Sequence, residues 1–277
     1  MVIRPLGIED VPACLDLAAD RDWPREEAKW RLLLGAGQGW GIDSPGGGLA
    51  AGTIVTPYDG AAAIGMVLVA ARHGGRGLGR RLIGHALSTI GDQPAVLYAT
   101  AMGFPLYEKL GFRVTGHVTK HVGHWRGAPA PSVAVRPAGA ADWSAIAHRD
   151  YTAFGADRTK LLDHYARSAE VVVAGPDAYG DTGHAFAFPG GAPGAEIRFV
   201  GPVSADSDAV AWALIAHLAA RGTTPVRVDI SAGHPWLSGL LVEHGLLPRR
   251  PDPLMTHGPR LATDWSRYQA IALQALG

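Results

Sequence analysis

The chain has 277 residues, enough for two domains of ordinary size, and its balance of 47% hydrophobic to 18% charged residues excludes the disordered and fibrous classes. Its 25 Lys and Arg match its 25 Asp and Glu, so no net field draws it to nucleic acid or to an anionic membrane. The single cysteine, Cys14, excludes an intramolecular disulfide and fits a reducing compartment.

In chain order, Val2 to Pro5 reads as a short strand, with no signal-peptide pattern around it. Ile8 to Ala19 reads as a helix with Val11, Leu15 and Ala18 in register, and Pro24 to Leu34 as a second helix with proline at its start. Strands are expected at Gly48 to Thr56 and Ala62 to Val69, joined by a turn ending in Asp59-Gly60. The longest apolar run, Ala61 to Ala71, is far shorter than the roughly 20 residues needed to cross a bilayer, so a cytoplasmic protein is expected. Leu78 to Ile90 carries Leu78, Leu82, Ile83, Ala86, Leu87 and Ile90 on one face, a helix that packs on a sheet. Ala95 to Ala99 (strand), Phe104 to Leu110 (short helix) and Phe112 to Val122 (strand) complete a mixed sheet with helices on its faces.

Residues 126–131, with two prolines and no apolar periodicity, read as a linker between 1–125 and 132–277. Across it the chain repeats itself. Arg4-Pro5-Leu6-Gly7 with Asp10 matches Arg136-Pro137-Ala138-Gly139 with Asp142 at an offset of 132. Ile64-Gly65-Met66-Val67 parallels Ile197-Arg198-Phe199-Val200 at 133, and Leu110-Gly111-Phe112 parallels His244-Gly245-Leu246 at 134. Order and near-constant spacing together indicate a duplicated domain.

Between the strand ending at Val69 and the helix starting at Leu78 lies Gly74-Gly75-Arg76-Gly77-Leu78-Gly79, followed by Arg80 and Arg81. Glycines let several backbone N–H groups converge on one point, and the helix start adds positive potential, so the turn suits a pyrophosphate. Arginine at position 80 breaks the dinucleotide fingerprint counted from Gly75, and no Gly-Lys-Ser/Thr makes it a P-loop.

The segment resembles motif A of the GNAT (Gcn5-related) N-acetyltransferases, R/Q-x-x-G-x-G/A, and Leu106-Tyr107-Glu108-Lys109-Leu110-Gly111-Phe112 resembles their motif B, in the family's order. The resemblance covers residues 1 to 125. It implies an α/β fold of tandem GNAT-like domains, each a mixed, mostly antiparallel sheet flanked by helices. It further implies acetyl transfer from acetyl-CoA to a primary amine of a small molecule by direct attack, without a metal. On that reading Val67, Leu68 and Val69 form the strand whose N–H meets the developing oxyanion. Gly74, Gly75, Arg76, Gly77, Leu78, Gly79 and Arg80 hold the coenzyme, and Tyr107 protonates the departing thiolate, a phenol near pKa ~10 facing a thiol near ~8.5. Position 74 departs from the family, which prefers arginine or glutamine there; main-chain N–H groups are left to hold the phosphates, with Arg72 or Arg76 as compensating charges.

No glutamate lies on the Ala62 to Val69 strand where the family often places its base, and Tyr58, Asp59, His73 and Tyr98 read as ordinary turn or surface residues. In the second half the phosphate turn is replaced by Val200 to Asp208 and the counterpart of Tyr107 is Leu241, so this half is expected to be degenerate, serving as a wall of the acceptor pocket or as a dimer contact. Phe154 to Arg158 is its polar cluster, with Asp157 read as a helix cap rather than a substrate contact. His117, His121 and His124 lack acidic or cysteine partners at ligand spacing, so no metal is expected. The rival reading is a non-catalytic acyl-CoA sensor or interaction module that has kept the fold.

Overall fold

A computed structural model describes residues 2–127, 133–176, 178 and 180–277; most of the linker, Ala128 to Pro131, lies outside them. The first half runs β1 (Ile3–Leu6), α1 (Val11–Ala19), α2 (Glu27–Ala36), β2 (Gln38–Asp43), β3 (Leu49–Tyr58), β4 (Ala61–Val69), α3 (Leu78–Ile90), β5 (Ala95–Tyr98), α4 (Phe104–Lys109) and β6 (Arg113–Gly123). The second runs β7 (Val135–Pro137), α5 (Trp143–Phe154), α6 (Thr159–Ala166), β8 (Glu170–Ala174), β9 (Gly183–Ala192), β10 (Ala195–Ala205), α7 (Asp208–Ala219), β11 (Val226–Ser231), α8 (Pro235–Glu243), β12 (Leu247–Pro248), β13 (Asp252–His257) and β14 (Tyr268–Ala270).

The duplication extends to individual hydrogen bonds. Arg4 grips Asp10 through two nitrogens, and Asp10 also accepts the Gly7 N–H at 2.9 Å. Arg136 grips Asp142 in the same way, and Asp142 accepts the Gly139 N–H at 2.7 Å. Each constellation ties the first strand of its half to the short 3-10 turn that leads into the first long helix. The glycines of the third repeat anchor also agree, Gly111 at φ 89° and Gly245 at φ 92°, left-handed turns ending α4 and α8.

Two elements differ from expectation. Pro24 does not open α2; its carbonyl accepts the Glu26 N–H at 3.0 Å in a preceding turn, and the helix begins at Glu27. The segment Gln38-Gly39-Trp40-Gly41, loop-like in composition, is strand β2. Its glycines are steric necessities: a Cβ on Gly41 would stand 2.6 Å from Leu6 Cδ2, and one on Gly39 2.5 Å from Leu34 Cδ2.

Among the described residues all strands join one sheet, ordered β1-β2-β3-β4-β5-β13-β6-β11-β14-β10-β9-β8-β7, with β12 beside β6. The halves meet by exchange. β13 of the second half lies antiparallel between β5 and β6, with Leu254 opposite Tyr98, while β6 of the first half pairs antiparallel with β11. Among the described residues only β4–β5 and β10–β11 pair parallel, at the middle of each half. The hydrophobic core is correspondingly shared: one cluster joins Leu17, Trp30 and Met66 of the first half to Phe154, Phe186 and Tyr268 of the second. Cys14 lies fully buried in it, its thiol pushed up to about 12 by burial, so it acts as apolar filler. Among the described residues no helix is long and apolar enough to cross a membrane.

Candidate functional site

The first half contains an opening in its sheet. β4 and β5 pair only at Ala62–Ala95 and Ala63–Val96; beyond that β4 continues to Val69 while β5 turns its other edge to β13. Where the strands part lies a cavity of about 620 Å³, with Ile64, Gly65, Met66 and Val67 on one lip and Tyr98, Thr100 and Tyr107 on the other.

The β4 lip is irregular in a specific way. Gly52 pairs with Leu68 and Ile54 with Gly65, so Met66 and Val67 together face Thr53 alone, a bulge. Met66 sits at φ 53°, a left-handed conformation that costs a non-glycine residue about 1–2 kcal/mol. Tight surroundings hold it there, Met66 being buried and the Thr53 hydroxyl donating to Gly65 O at 3.1 Å. A bulge takes a residue out of the ladder and re-aims its backbone, here beside the cavity.

Past β4 the chain makes the glycine turn. Gly75 and Gly77 have φ of 72° and 76°, a region closed to most side chains, and Gly77 is the residue before α3. Among the described residues the first N–H after Gly74 to find a main-chain acceptor is that of Arg81, to Gly77 O at 3.0 Å, so those of residues 75 to 80 are left for a ligand at a helix N-terminus. Gly79 keeps α3 close to α4: a Cβ there would meet Leu106 Cδ2 at 3.2 Å. Arg76 and Arg80 are exposed at the turn's mouth. Arg72 is engaged elsewhere, reaching Ser44 Oγ at 3.2 Å, and buried His73 meets the same hydroxyl at 3.0 Å through Nε2, so both brace the turn from behind.

Tyr107 projects from α4 into the cavity wall. It is buried, packs on Phe112 with ring centroids 5.8 Å apart, and burial pushes its phenol up to about 12, so the hydroxyl keeps its proton at neutral pH. Tyr98 on the same lip is held well above the ordinary tyrosine value by burial.

The rest of the cavity wall comes from both halves. Trp23, Pro24, Glu26 and Lys29 approach from the α1–α2 connection and α2, and Lys120 from β6. The second half adds Ile197 and Phe199 of β10, Arg227 of β11 and the tail residues Leu273 to Ala275. That tail lies against β4: a Cβ on Gly65 would come 2.7 Å from Ala275 Cα, and the Tyr58 hydroxyl donates to Leu276 O.

The corresponding opening of the second half is closed. β10 and β11 pair parallel from Arg198–Val226 to Val200–Val228, and where they would part, β14 enters between them, Ala270 pairing with Val203 on one side and Ile230 on the other. The Gln269 side chain locks it by exchanging hydrogen bonds with the Ala205 backbone at 3.0 and 3.1 Å. β10 runs to Ala205 with no glycine turn; Ser207 caps α7, its Oγ accepting the Val210 N–H at 3.4 Å, and Asp206 is taken by Arg149 at 2.6 Å. Leu241, in the place of Tyr107, is fully buried.

Of the sequence-expected strand residues, Val67 lines the cavity, while Leu68 and Val69 lie above it in regular pairing with Gly52 and Ala51. Met66, Lys29, Lys120 and Arg227 line it without having been singled out; a bulge and a charge-lined interface leave no local sequence signal. In the Phe154 to Arg158 cluster, Asp157 Oδ1 accepts the Thr159 N–H at 2.8 Å at the start of α6. Arg158 is fully buried, paired bidentately with Asp150 at 3.0 and 2.7 Å and stacked 3.7 Å over Phe154. His121 bonds Thr119 O at 3.0 Å and His124 Thr223 O at 3.2 Å, and among the described residues no group of three His, Cys, Asp or Glu could hold a metal.

A family model described as an acetyltransferase (GNAT) domain matches residues 146–269. The chain is 29% identical over 277 residues to the uncharacterized N-acetyltransferase YitH of Bacillus subtilis strain 168, covering 97% of this chain and 96% of that protein. Among solved structures, a putative acetyltransferase from Pyrococcus horikoshii superposes with a TM-score of 0.79 at 18% identity, covering 100% of this chain and 95% of that one. A tandem GNAT protein from the clavulanic acid biosynthesis pathway superposes at 0.61 with 16% identity, covering 94% of this chain and 99% of that one. The likeness runs through both halves rather than through one motif: residues 146–269 match the GNAT domain model, the whole chain is similar to an N-acetyltransferase, and its fold is that of the tandem GNAT proteins.

Proposed function

We propose that the protein transfers an acetyl group from acetyl-CoA to a primary amine of a small molecule, at one site in the first half. The observation that carries this reading is the contrast between the two openings. The one beside the glycine turn leads to a cavity walled by Tyr107, and its counterpart is filled by β14. A location in the cytoplasm, where acetyl-CoA is formed and used, fits this activity.

The residues present suit the donor. The unpaired N–H groups of residues 75 to 80 and the charges of Arg76 and Arg80 would hold its pyrophosphate, and the parted β4–β5 edges would take its pantetheine arm as an added strand. The donor supplies a thioester: the neutral amine attacks its carbonyl carbon, a C–N bond forms, the C–S bond breaks, and the amine proton passes to solvent. A backbone N–H of the Met66–Val67 bulge would stabilise the oxyanion, and Tyr107 Oη would give its proton to the leaving sulfur and regain one from water. Thiol release measured over a panel of amines tests the reading, alongside calorimetric titration with acetyl-CoA. Turnover that depends on Tyr107 supports it; binding without turnover on any amine points to the sensor instead, and no binding at millimolar acetyl-CoA overturns both.

A further inference from the structure

The cavity holds more positive charge than direct acetyl transfer requires. Lys29, Lys120 and Arg227 come from α2, β6 and β11, two from the first half and one from the second, and all three line it. The chain as a whole is neutral, so this is a local arrangement.

Each cation is fixed from behind. Arg227 uses Nε and Nη2 on Asp229 at 2.7 and 2.6 Å, and Lys120 reaches Asp252 at 2.7 Å; neither aspartate lines the cavity. Asp229 lies directly opposite Lys120 across the β6–β11 ladder and two residues from Arg227, so the three side chains share one face of the sheet. Arg227 also lies 5.2 Å over the ring of Phe199, a cavity-lining side chain. The third cation, Lys29, is gripped by Glu26. Burial and the nearby charges of Arg227 and Lys120 draw its ammonium down to about 7, with the charge of Asp229 opposing them. Three cations from three elements thus converge on one partly buried wall, where a ligand anion can add charge-assisted hydrogen bonds to theirs. The other carboxylates on the wall do not fill that role: Glu26 is closed on Lys29, and Glu196, exposed on the β9–β10 hairpin, accepts the Gly194 N–H at 2.9 Å.

We propose that the acceptor carries, besides its amine, an anionic group, a carboxylate or a phosphate, held by Lys29, Lys120 and Arg227 at the junction of the two halves. This rests on the acetyl-transfer reading for its amine, while the anion site stands on the cation geometry alone. The pyrophosphate of the donor does not compete for the role, because the glycine turn lies past the far end of β4.

The test uses the whole protein with acetyl-CoA and four short primary amines: β-alanine, 2-aminoethyl phosphate, ethanolamine and n-propylamine. The two anionic amines are expected to have a kcat/KM about tenfold or more above the neutral pair, the scale of one or two charge-assisted hydrogen bonds. Their relative rates show which anion the site prefers. In Lys120→Met and Arg227→Met, checked for folding by circular dichroism, that preference collapses toward one, chiefly through KM, and Arg227→Lys restores part of it. Equal use of neutral and anionic amines overturns the proposal, as does a variant effect that falls equally on all four or that weakens acetyl-CoA binding instead. If no amine releases thiol, the transfer reading has failed, and calorimetry with β-alanine and 2-aminoethyl phosphate decides the anion site. Binding lost in Lys120→Met supports it, and no heat from either probe overturns it.

Discussion

Replacing Tyr107 by phenylalanine removes one oxygen and little else. Among the described residues no hydrogen bond involves the Tyr107 hydroxyl, and the ring contact with Phe112 survives, so folding stability should change by less than about 1 kcal/mol. General acids typically contribute about 10²–10⁴-fold, and a phenol lifted to about 12 is a weak acid for a thiolate, which places the loss at the lower end. The expected outcome is a fall in kcat of about 10²-fold, near 2.7 kcal/mol. Acetyl-CoA affinity by calorimetry should stay within about threefold, and the melting temperature within about 4 °C. Thiol-release kinetics with a saturating amine reads the first quantity. A kcat within about threefold of wild type would refute the assignment, as would a loss matched by an equal loss of folded protein.

Three further outcomes follow from the packing. Arg158→Met leaves the Asp150 carboxylate fully buried without its partner and should cost about 3–5 kcal/mol in urea denaturation, most of it regained in the double variant with Asp150→Leu; a single-variant loss below about 1 kcal/mol would count against the pair. Burial lifts Tyr58, Tyr98, Tyr107, Tyr165 and Tyr268 above their ordinary value, whereas Tyr151 is 52% exposed. Groups raised on folding stabilise fully below the unfolded value of about 10 and lose that contribution as pH climbs through the folded values, so phenolate absorbance from the five should appear together with unfolding above pH ~10 rather than reversibly near it. Gly65→Val would drive a side chain into the Ala275 backbone and should displace the tail, read as faster carboxypeptidase trimming; an unchanged trimming rate would mean that the tail is not held there.

The glycine turn, the stripe on α3 and the duplication were legible because each is local or self-referential. Glycines cluster where φ must be positive, Leu82 and Ile83 recur at helical spacing, and Arg4 with Asp10 finds its copy in Arg136 with Asp142. β2 was missed because Gly39 and Gly41 answer to Leu34 and Leu6, residues distant along the chain or on another element, and not to strand propensity. The Met66 bulge leaves no trace in composition, since methionine has no preference for positive φ. The cations of the cavity were invisible for a different reason: Lys29 and Arg227 look like any surface charge until β6 and β11 pair across the halves.

The exchange of β13 and β6 reaches into how the molecule comes to be. A strand of each half completes the sheet of the other, so the chain has the connectivity of a domain-swapped dimer written as one polypeptide. As the chain emerges during synthesis, β5 has an unpaired edge until residues 252–257 arrive, roughly 155 positions later, and such long-range pairing is slow and prone to association. A second copy whose own cleft is sealed is still needed, because without β13 the edge of β5 turned away from β4 has no partner. That dependence gives a physical reason for retaining a second half whose opening is sealed.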